Sequence, residues 1–282
     1  MKVLVTGAHG FVGGHLVERL IGLGAQVVGL DLRAEMASYL TMSGALERIE
    51  PVVADIADPD AMSATFEEHQ PEVVFHVAAQ AEVGLALEEP LTTFDANVRG
   101  TYVTLECARR AWDGTHGPRA MVTASSDKAY GQHQSLPYRE DDELLGQYPY
   151  DVSKACADMI ARGYHVAFGL PVAVTRCANI YGPGDMRFSR IIPGTMRSLL
   201  RGERPIIRSD GKPLRDYMYV SDAVDGYLRL AEALLDGQAA GQAYNFGTGD
   251  PVSVLEIFSE MIDVADSPDL APEILGEASR EL

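Results

Sequence analysis

Short apolar runs alternate with longer segments of helical periodicity along the first part of the chain. The run at residues 2–6 leads into a glycine-rich turn, an amphipathic segment at residues 15–24 and a second run at residues 26–30. The alternation continues at residues 51–56, 72–81, 90–111, 121–124, 150–168 and 171–176. Such alternation is typical of parallel sheets with helical crossovers. It predicts an α/β fold with about six or seven parallel strands, a Rossmann-type doubly wound sheet with its ligand cleft at the carboxyl ends of the strands.

The pattern loosens beyond residue 176. Helical periodicity returns at residues 189–202, 222–237 and 252–265. Ser221 or Asp222 would open the second of these helices. Short apolar runs lie at residues 204–208 and 243–247. We therefore expect a dinucleotide-binding domain over residues 1–176, with the helix at residues 150–168 included. A smaller C-terminal α/β domain, mostly for substrate, would follow over residues 177–282.

The turn after the first strand contains glycines at a GxxGxxG spacing. Glycines allow a tight turn and close approach of a pyrophosphate, and the helix that follows offers free N–H groups at its start. Asp31 ends the second strand, where its carboxylate can accept hydrogen bonds from a ribose diol and repel a 2′-phosphate. The spacing differs from GxGxxG, so a plain turn is the alternative. Dinucleotide binding, with NAD favoured over NADP, is predicted at Gly7, Gly10, Gly13 and Asp31.

The third and fourth apolar runs end in further candidates. Asp55 follows the third run, where its carboxylate could contact adenine, although helix capping by Asp58 or Asp60 is the simpler interpretation of this acidic cluster. In the fourth run, Ala78 and Ala79 are small enough to let a ligand approach the backbone.

Two polar residues near these runs are interpreted as structural. His76 lies in the fourth apolar run, so we predict that it is packed in the core. Asn97 lies in the interior of the helical segment at residues 90–111, where an asparagine is usually solvated or bonded to its own backbone. The segment at residues 33–50 predicts one helix and little else.

A second group of candidates follows the strand at residues 121–124. Ser125, Ser126, Asp127 and Lys128 end this strand, and Tyr150 and Lys154 then occur four residues apart in a helical pattern, which places them on one face. A tyrosine hydroxyl has a reference pKa of about 10, so it becomes a base near neutral pH only where a positive charge favours the phenolate. The pair is a candidate for taking a proton from an alcohol while hydride leaves the same carbon, and an ordinary helix pair is the alternative.

Composition limits the partners. The chain has 282 residues, of which 46% are hydrophobic, and a net charge of −18. Binding of nucleic acid or of an anionic membrane needs clustered basic residues, so both are excluded. No apolar run is long enough to span a bilayer and no leader precedes the first strand, which predicts a soluble cytoplasmic protein. Five arginines form a local basic group that could bind a phosphate: Arg187, Arg190, Arg204, Arg208 and Arg215.

The three cysteines, Cys107, Cys156 and Cys177, are scattered through apolar patterns without a CxxC pair. We interpret them as reduced core thiols and expect no metal site.

Taken in order, these motifs closely resemble the extended short-chain dehydrogenase/reductase family that acts on nucleotide sugars. The resemblance runs over nearly the whole chain and includes the segments HVAAQA, NVRGT, SSDKAYG, RCANIYGPGD and RDYMYVSDAV. It implies tightly held NAD, a nucleotide-diphosphate sugar as substrate, and a homodimer formed through the helices at residues 90–112 and 150–168. Family members usually run on for another few dozen residues, so we expect the substrate domain to lack a closing segment.

The resemblance also implies roles for single residues. Tyr150 would be the base at the sugar 4-hydroxyl, Lys154 would hold the nicotinamide ribose and lower the pKa of Tyr150, and Ser126 would bond the same hydroxyl. The cofactor site would be formed by Gly7, Gly10, Phe11, Val12, Gly13, Asp31, Leu32, Asp55, Ile56, Ala78, Ala79, Gln80, Asn97, Tyr150 and Lys154. The substrate site would include Ser126, Asn179, Arg190, Arg208 and Arg215, with Asn179 and Arg215 at the diphosphate.

The residues after Ser126 bear on the reaction. Asp127-Lys128 resembles the Asp-Glu of dTDP-glucose 4,6-dehydratases, and still more the Asp-Lys of CDP-glucose and UDP-N-acetylglucosamine dehydratases. Once C4 is a ketone, loss of water across C5 and C6 needs an acid and a base, which would be Asp127 and Lys128. The acid must hold a proton and the base must be neutral, and burial favours both states.

Two alternatives remain open. In a 4-epimerase on the same kind of substrate, Asp127 and Lys128 would form an internal ion pair that shapes the loop. A non-catalytic dinucleotide sensor is the third interpretation, which the presence of Ser126, Tyr150 and Lys154 disfavours.

Overall fold

The structure is a computed structural model that describes residues 1–33, 37–112 and 117–277. The chain divides into two compact units. Unit 1 contains Met1–Cys177 and Val220–Phe246, and unit 2 contains Ala178–Tyr219 and the residues from Gly247 onward.

The strands of the main sheet lie within or close to the predicted apolar runs. In chain order the strands are β1 (Lys2–Thr6), β2 (Gln26–Asp31), β3 (Glu50–Val53), β4 (Val73–His76), β5 (Ala120–Ala124), β6 (Val172–Cys177), β7 (Asn179–Tyr181), β8 (Ile206–Ile207), β9 (Leu214–Arg215), β10 (Tyr217–Tyr219), β11 (Ala243–Phe246), β12 (Val252–Ser253) and β13 (Glu273–Ile274). Strands β7, β9, β10, β12 and β13 were not predicted.

Local signals fix several helix ends. The Asp58 carboxylate accepts hydrogen bonds from the N–H groups of Asp60 and Ala61 and so caps α3, which confirms the capping role predicted for it. Gly169 ends α7 in a left-handed conformation. The α-helices are α1 (Phe11–Gly22), α2 (Tyr39–Met42), α3 (Pro59–His69), α4 (Val83–Glu88), α5 (Pro90–Phe94), α6 (Gly100–Ala111), α7 (Pro149–Phe168), α8 (Ile191–Leu200), α9 (Val220–Leu235) and α10 (Val254–Val264).

Unit 1 is built on a seven-stranded sheet in the order β11-β6-β5-β4-β1-β2-β3. Every neighbouring pair in this sheet is parallel. From β1 the chain adds β2 and β3 on one side and then β4, β5, β6 and β11 on the other, so the order reverses between β1 and β4. A crevice at the carboxyl ends of strands at such a reversal is where doubly wound sheets bind ligands. The predicted Rossmann-type fold is confirmed.

Helices cover both faces of this sheet. On one face α3, α6 and α7 pack against each other, and their apolar residues join those of the strands in one core that includes Leu4, Val74, Met121, Leu105 and Val172. On the other face α1 packs against α9. Because both faces are covered, the strands are apolar along almost their whole length.

The described residues of unit 2 form three pairs of short strands. β7 pairs with β10 and β8 with β13 in parallel, whereas β9 pairs with β12 in antiparallel orientation. Its helices α8 and α10 share a small apolar core that includes Leu199, Ile207, Phe258 and Met261. Ser253 and Glu256 form a capping box at the start of α10.

The segment at residues 220–246 lies in unit 1, whereas the sequence placed it within the second domain. The reason is long-range pairing, since β11 aligns Ala243 with Val174 of β6, and α9 buries Val224 and Tyr227. α9 also begins at Val220, two residues before the predicted segment at residues 222–237.

Three other predictions are changed by the structure. The helix at residues 90–111 is interrupted by a π-helical turn at Asp95–Arg99 between α5 and α6. The third strand ends at Val53, two residues before Asp55. Between residues 33 and 50 the described residues form α2 and a 3₁₀ helix at Ala45–Arg48, and residues 34–36 of this segment lie outside the described part. Within the described residues, no helix combines the length and apolarity needed to span a bilayer.

Candidate active site

The glycine turn between β1 and α1 brings backbone segments into contact that a side chain would separate. Gly7 has a φ of 73°, and a Cβ atom built there would lie 2.7 Å from the Cα atom of Ala78. A Cβ atom at Gly13 would overlap the carbonyl oxygen of Gly7. Gly10 precedes α1 without any side-chain cap, so no capping side chain competes with an anion for the first N–H groups of the helix, at Phe11 and Val12. The turn therefore fits a dinucleotide pyrophosphate.

Asp31 lies at the carboxyl end of β2 and binds the same turn. Its Oδ2 atom accepts a hydrogen bond from the His9 N–H at 2.9 Å, and its Oδ1 atom accepts one from the Leu32 N–H at 2.8 Å. Each carboxylate oxygen has a second lone pair, so Asp31 can still accept from a ribose diol. The imidazole of His9 lies 3.0 Å from the Ser38 hydroxyl, measured from Nδ1 to Oγ.

We expect Gly13→Ala to weaken NAD binding because the added methyl group must displace the Gly7 carbonyl. Overpacking of this kind costs about 1–3 kcal/mol. The matched control is Gly22→Ala near the end of the same helix, where nothing lies within 4 Å of a new Cβ atom. Titration of NAD against both variants by calorimetry checks the prediction, and equal affinities for the two would contradict it.

The side chains of Asp55 and Ile56 lie in different environments. Asp55 is exposed and its Oδ1 atom accepts the Ala57 N–H at 2.8 Å, so its carboxylate is available for a ligand. Ile56 is buried against α6, where a Cβ atom at Gly100 would lie 2.5 Å from the Ile56 Cδ1 atom. The side chain of Ile56 thus belongs to the core, and a contact of this residue with the adenine would be made through its backbone.

A buried chain of hydrogen bonds supports the loop after β4. The Ala78 N–H donates to Thr6 Oγ1 at 3.3 Å, and Thr6 Oγ1 lies 2.9 Å from His76 Nδ1. His76 Nε2 lies 3.2 Å from Thr101 Oγ1, which donates to the Asn97 carbonyl. Burial, with the nearby Lys154 charge, lowers the pKa of His76 to about 3, so the ring is neutral and packed, as predicted.

Asn97 lies on the π-helical turn and is almost fully buried. Its Oδ1 atom accepts the Gln80 N–H at 2.7 Å, and its Nδ2 atom donates to Ser153 Oγ at 2.9 Å. Ser153 in turn donates to the Tyr150 carbonyl at 2.7 Å. The prediction that Asn97 is solvated or bonded to its own helix is therefore wrong, because its side chain joins the loop after β4 to the start of α7.

The carboxyl end of β5 passes into a 3₁₀ helix at Asp127–Tyr130. Ser126 caps this helix by accepting the Lys128 N–H at 3.2 Å, and its hydroxyl donates to Asp127 Oδ1 at 3.0 Å. Ser125 is buried and donates to the Lys154 carbonyl at 3.0 Å, which fixes α7 against the end of β5. Asp127 and Lys128 are half-buried beside Ser126.

Tyr150 and Lys154 lie one turn apart in α7, which runs from Pro149 to Phe168. Lys154 is buried, and its ammonium group donates to the Ala124 carbonyl at 3.0 Å, at the last residue of β5. Burial lowers the pKa of Lys154 to about 8. A lysine that is desolvated in this way gains most from an added polar partner, which a ribose hydroxyl would supply.

The free energy of unfolding should reveal this buried ammonium. The unfolded chain binds the proton of Lys154 more tightly than the folded chain, so stability rises with pH between about 8 and the reference value near 10.4, by on the order of 3 kcal/mol. Lys154→Met removes this pH-dependent contribution to the free energy of unfolding. Urea unfolding without cofactor at pH 8 and pH 10 should therefore show a wild-type minus variant difference that grows with pH, and a constant difference would contradict the assignment.

Two buried groups lie beside this part of α7. The Tyr227 hydroxyl accepts from Thr175 Oγ1 at 2.9 Å and lies 3.7 Å from Cys177 Sγ. Burial raises the pKa of Tyr227 well above its usual value, with smaller contributions from Cys177 and Tyr150. Burial also raises the pKa of Cys177 to about 11, so this thiol is unreactive.

The predicted substrate residues fall into different units. Ser126 belongs to unit 1, and the others belong to unit 2. In unit 2 the Asn179 amide donates to the Asp216 carbonyl at 3.2 Å, and Arg215 donates to the Leu214 carbonyl at 2.8 Å. Arg190 pairs with Asp185 at 3.1 Å, and Arg208 is exposed.

Two features of this region were missed from the sequence. Asp151, next to Tyr150, is buried, although an acid in the first turn of a helix is usually solvated. Arg176 in β6 is fully buried and forms two bonds to Asp158 of α7, at 2.8 and 3.1 Å. The sequence signal for the Arg176 pair was an arginine inside an apolar strand, since a buried charge requires a partner.

Comparison with known proteins identifies the family of the chain. A profile of the NAD dependent epimerase/dehydratase family matches residues 3–247. The chain is 34% identical to the UDP-glucose 4-epimerase of Mycolicibacterium smegmatis, over 99% of this chain and 88% of the relative. It is 31% identical to the dTDP-glucose 4,6-dehydratase of Shigella flexneri, over 94% of this chain and 77% of the relative. The fold also matches a solved structure of a double mutant of DesIV, the dTDP-glucose 4,6-dehydratase of Streptomyces venezuelae, with NAD bound. The TM-score is 0.85 at 29% sequence identity, and the match covers 97% of this chain and 84% of that chain.

The chain belongs to the NAD dependent epimerase/dehydratase family. This confirms the predicted resemblance and NAD as the cofactor, and it makes the protein an enzyme of this family. Relatives of both activities match at similar identity, so the choice between the two reactions depends on the side chains of the site.

Proposed function

We propose that this protein is a 4,6-dehydratase of nucleotide-diphosphate sugars. The observation that carries the proposal is the acid and base pair Asp127 and Lys128, placed between the end of β5 and the start of α7. α7 packs directly on the 3₁₀ helix that contains both residues. An epimerase has no step that needs this pair, whereas elimination of water needs one acid and one base.

When bound, NAD would supply the redox chemistry, namely oxidation at C4 and reduction at C6. The side chains of the protein move the protons. Tyr150 takes the proton of the 4-hydroxyl, and Ser126 bonds the same oxygen. Lys128 takes the proton from C5, and Asp127 protonates the departing 6-hydroxyl, which leaves as water. Lys128 then returns its proton to C5, which leaves a 4-keto-6-deoxy sugar.

The remaining parts of the site follow from the same proposal. Asp31 binds the adenosine ribose and the α1 start binds the pyrophosphate of NAD, while Leu32, Asp55, Ile56, Ala79 and Gln80 line the cofactor site. Asn179, Arg190, Arg208 and Arg215 bind the nucleotide diphosphate of the substrate, where guanidinium groups match phosphate oxygens. The enzyme works in the cytoplasm as a homodimer, and the exposed apolar residues Tyr102 of α6 with Met159 and Val166 of α7 are consistent with a helix-mediated contact.

The experiment that tests the reaction is incubation of the purified protein with CDP-, dTDP-, UDP- and GDP-hexoses, followed by mass analysis of the products. Loss of water supports dehydration. In D₂O the product should also acquire deuterium at C5, because the C5 proton returns from the exchangeable Lys128 ammonium. A product of unchanged mass with inverted C4 would reject the proposal.

The second candidate is a 4-epimerase. It is favoured by the 34% identity with the UDP-glucose 4-epimerase of Mycolicibacterium smegmatis, over almost the whole of this chain. In that case Asp127 and Lys128 are an ion pair within the loop, and the panel above yields no product that has lost water.

A further inference from the structure

Ser153 lies on α7 between Tyr150 and Lys154, and its side chain is completely buried. Its hydroxyl donates to the Tyr150 carbonyl at 2.7 Å and accepts a hydrogen bond from the Asn97 Nδ2 atom at 2.9 Å. A hydroxyl has one proton to donate, and here that proton is committed to the backbone of the proposed base. Ser153 therefore links the first turn of α7 to the amide of Asn97.

Asn97 binds the loop after β4, at residues 77–82, on its other side. Its Oδ1 atom accepts the Gln80 N–H at 2.7 Å, and its Nδ2 atom donates to the Gln80 carbonyl at 2.9 Å. The bond to Ser153 uses the second proton of the same amide nitrogen. One buried amide thus joins the loop that lines the proposed cofactor site to the helix that contains the proposed base.

The π-helical turn at Asp95–Arg99 gives Asn97 this position. The turn packs against α7. The Asn97 carbonyl accepts a hydrogen bond from the Thr101 hydroxyl at 2.6 Å, and that hydroxyl lies 3.2 Å from His76 Nε2. The backbone of Asn97 is therefore anchored to β4, while its side chain serves the loop and α7. π-helical turns of this kind occur frequently at functional sites.

The other residue of the proposed pair is held separately. Ser125 donates to the Lys154 carbonyl at 3.0 Å, and the Lys154 ammonium donates to the Ala124 carbonyl at 3.0 Å. The end of β5 thus fixes Lys154 by two bonds that do not involve Ser153. A change at Ser153 acts on the Tyr150 end of the pair and leaves these bonds in place.

We propose that Ser153 is a positioning residue that aligns Tyr150 with a cofactor bound against the loop after β4. This inference rests on the proposed role of Tyr150 as the base. Because Ser153 is completely buried, it acts on the reaction only through the Tyr150 backbone and Asn97. Oxidation at C4 requires the base, the sugar and the cofactor to be aligned, and a misplacement of about 1 Å can lower a rate by roughly 10²-fold. Dehydratases and epimerases share this step, so the inference holds for either reaction.

A purely structural role for Ser153 makes a different prediction. A serine or threonine hydroxyl often bonds a carbonyl one turn earlier in its own helix. Thr104 of α6 does so, since it is completely buried and donates to the Gly100 carbonyl at 2.7 Å. Thr104→Val removes this bond and keeps the shape of the side chain, so it is the matched control for Ser153→Ala. If both bonds serve only their helices, both variants lose stability and keep the wild-type rate.

The test compares these two variants, loaded with NAD, on the nucleotide sugar that the wild type converts. We expect the kcat of Ser153→Ala to fall by about 10- to 100-fold. Its affinity for NAD and its KM for the sugar should stay at the wild-type values, because the bonds between Asn97 and Gln80 remain. A sugar deuterated at C4 should show a primary isotope effect on this kcat, since the misaligned hydride transfer then limits the rate. Thr104→Val should keep the wild-type kcat.

Three results would overturn the inference while the proposed function stands: a wild-type kcat in Ser153→Ala, a low kcat without an isotope effect, or a loss of NAD affinity as large as the loss of rate. A wild type that converts no nucleotide sugar overturns the proposed function itself. If Ser153→Ala does not fold, Ser153→Cys decides by the same measurements, because its thiol is a weaker donor and acceptor than the hydroxyl.

Discussion

Tyr150→Phe will lose oxidation of the sugar at C4, and the steady rate will fall by about 10²–10⁴-fold or more. The change removes only the phenol oxygen, and the ring can keep its place at the start of α7. Without that oxygen the proposed base for the 4-hydroxyl proton is missing while C4 is oxidised. The measurement is the ultraviolet absorbance of the reduced cofactor after rapid mixing with substrate, together with the steady rate of product formation.

Tyr148→Phe is the control, because Tyr148 is a phenol two residues away that precedes α7 as its N-cap residue. It should retain most of the wild-type rate. Retention of C4 oxidation by Tyr150→Phe would remove Tyr150 from the mechanism.

A contrasting variant separates the two chemical steps. Lys128→Ala should still allow C4 oxidation, because Tyr150 and Lys154 are unchanged, but it should block water loss because the C5 proton has no acceptor. Cofactor reduction would then accumulate without a product that has lost water. Elimination at the normal rate in this variant would show that Lys128 is not the base.

Asp158→Ala will lower the free energy of unfolding by about 3–5 kcal/mol, because it leaves the buried Arg176 charge without its carboxylate. Both side chains are almost completely excluded from water, and their shorter contact is 2.8 Å. Arg162 loses its bond to the same carboxylate. Urea unfolding of the cofactor-free protein measures the change.

The control is Asp141→Ala, which breaks an exposed pair with Arg139 at 3.6 Å. Exposed pairs contribute about 0–1 kcal/mol, so this variant should unfold close to the wild type. Equal effects of the two substitutions would show that the Arg176 site admits water.

The Arg176 pair also supports the site. Arg176 Nη1 donates to the Tyr130 hydroxyl at 2.6 Å and to the Glu140 carbonyl at 2.9 Å. Tyr130 ends the 3₁₀ helix that contains Asp127 and Lys128, and its hydroxyl donates to Asn245 of β11 at 2.7 Å. Asp158 therefore stabilises the fold and helps to position the proposed acid and base.

The sequence was sufficient where a feature is local. The glycine turn, the acid that ends β2 and the Tyr150 and Lys154 spacing each follow from backbone constraints over a few residues. The seven-stranded parallel sheet was also predictable, since apolar runs of strand length that alternate with amphipathic segments have few other solutions.

Features that depend on distant contacts were mispredicted or missed. Asn97 was expected to be solvated, but a π-helical turn directs its amide to Ser153, which is 56 residues away in the chain. Residues 220–246 were expected in the second domain because they lie within residues 177–282 of the sequence. In the structure, β11 completes the main sheet beside β6.

The amino-acid sequence by itself determined the fold class, the cofactor and the residue types at the proposed reaction centre, because short-range sterics and hydrophobic periodicity depend only on neighbours in the chain. The tertiary structure alone decided that Asp151 is buried and that Asp158 neutralises the buried Arg176. Burial and charge pairing are set by groups from separate elements, and they shift a pKa by an amount that no local pattern encodes.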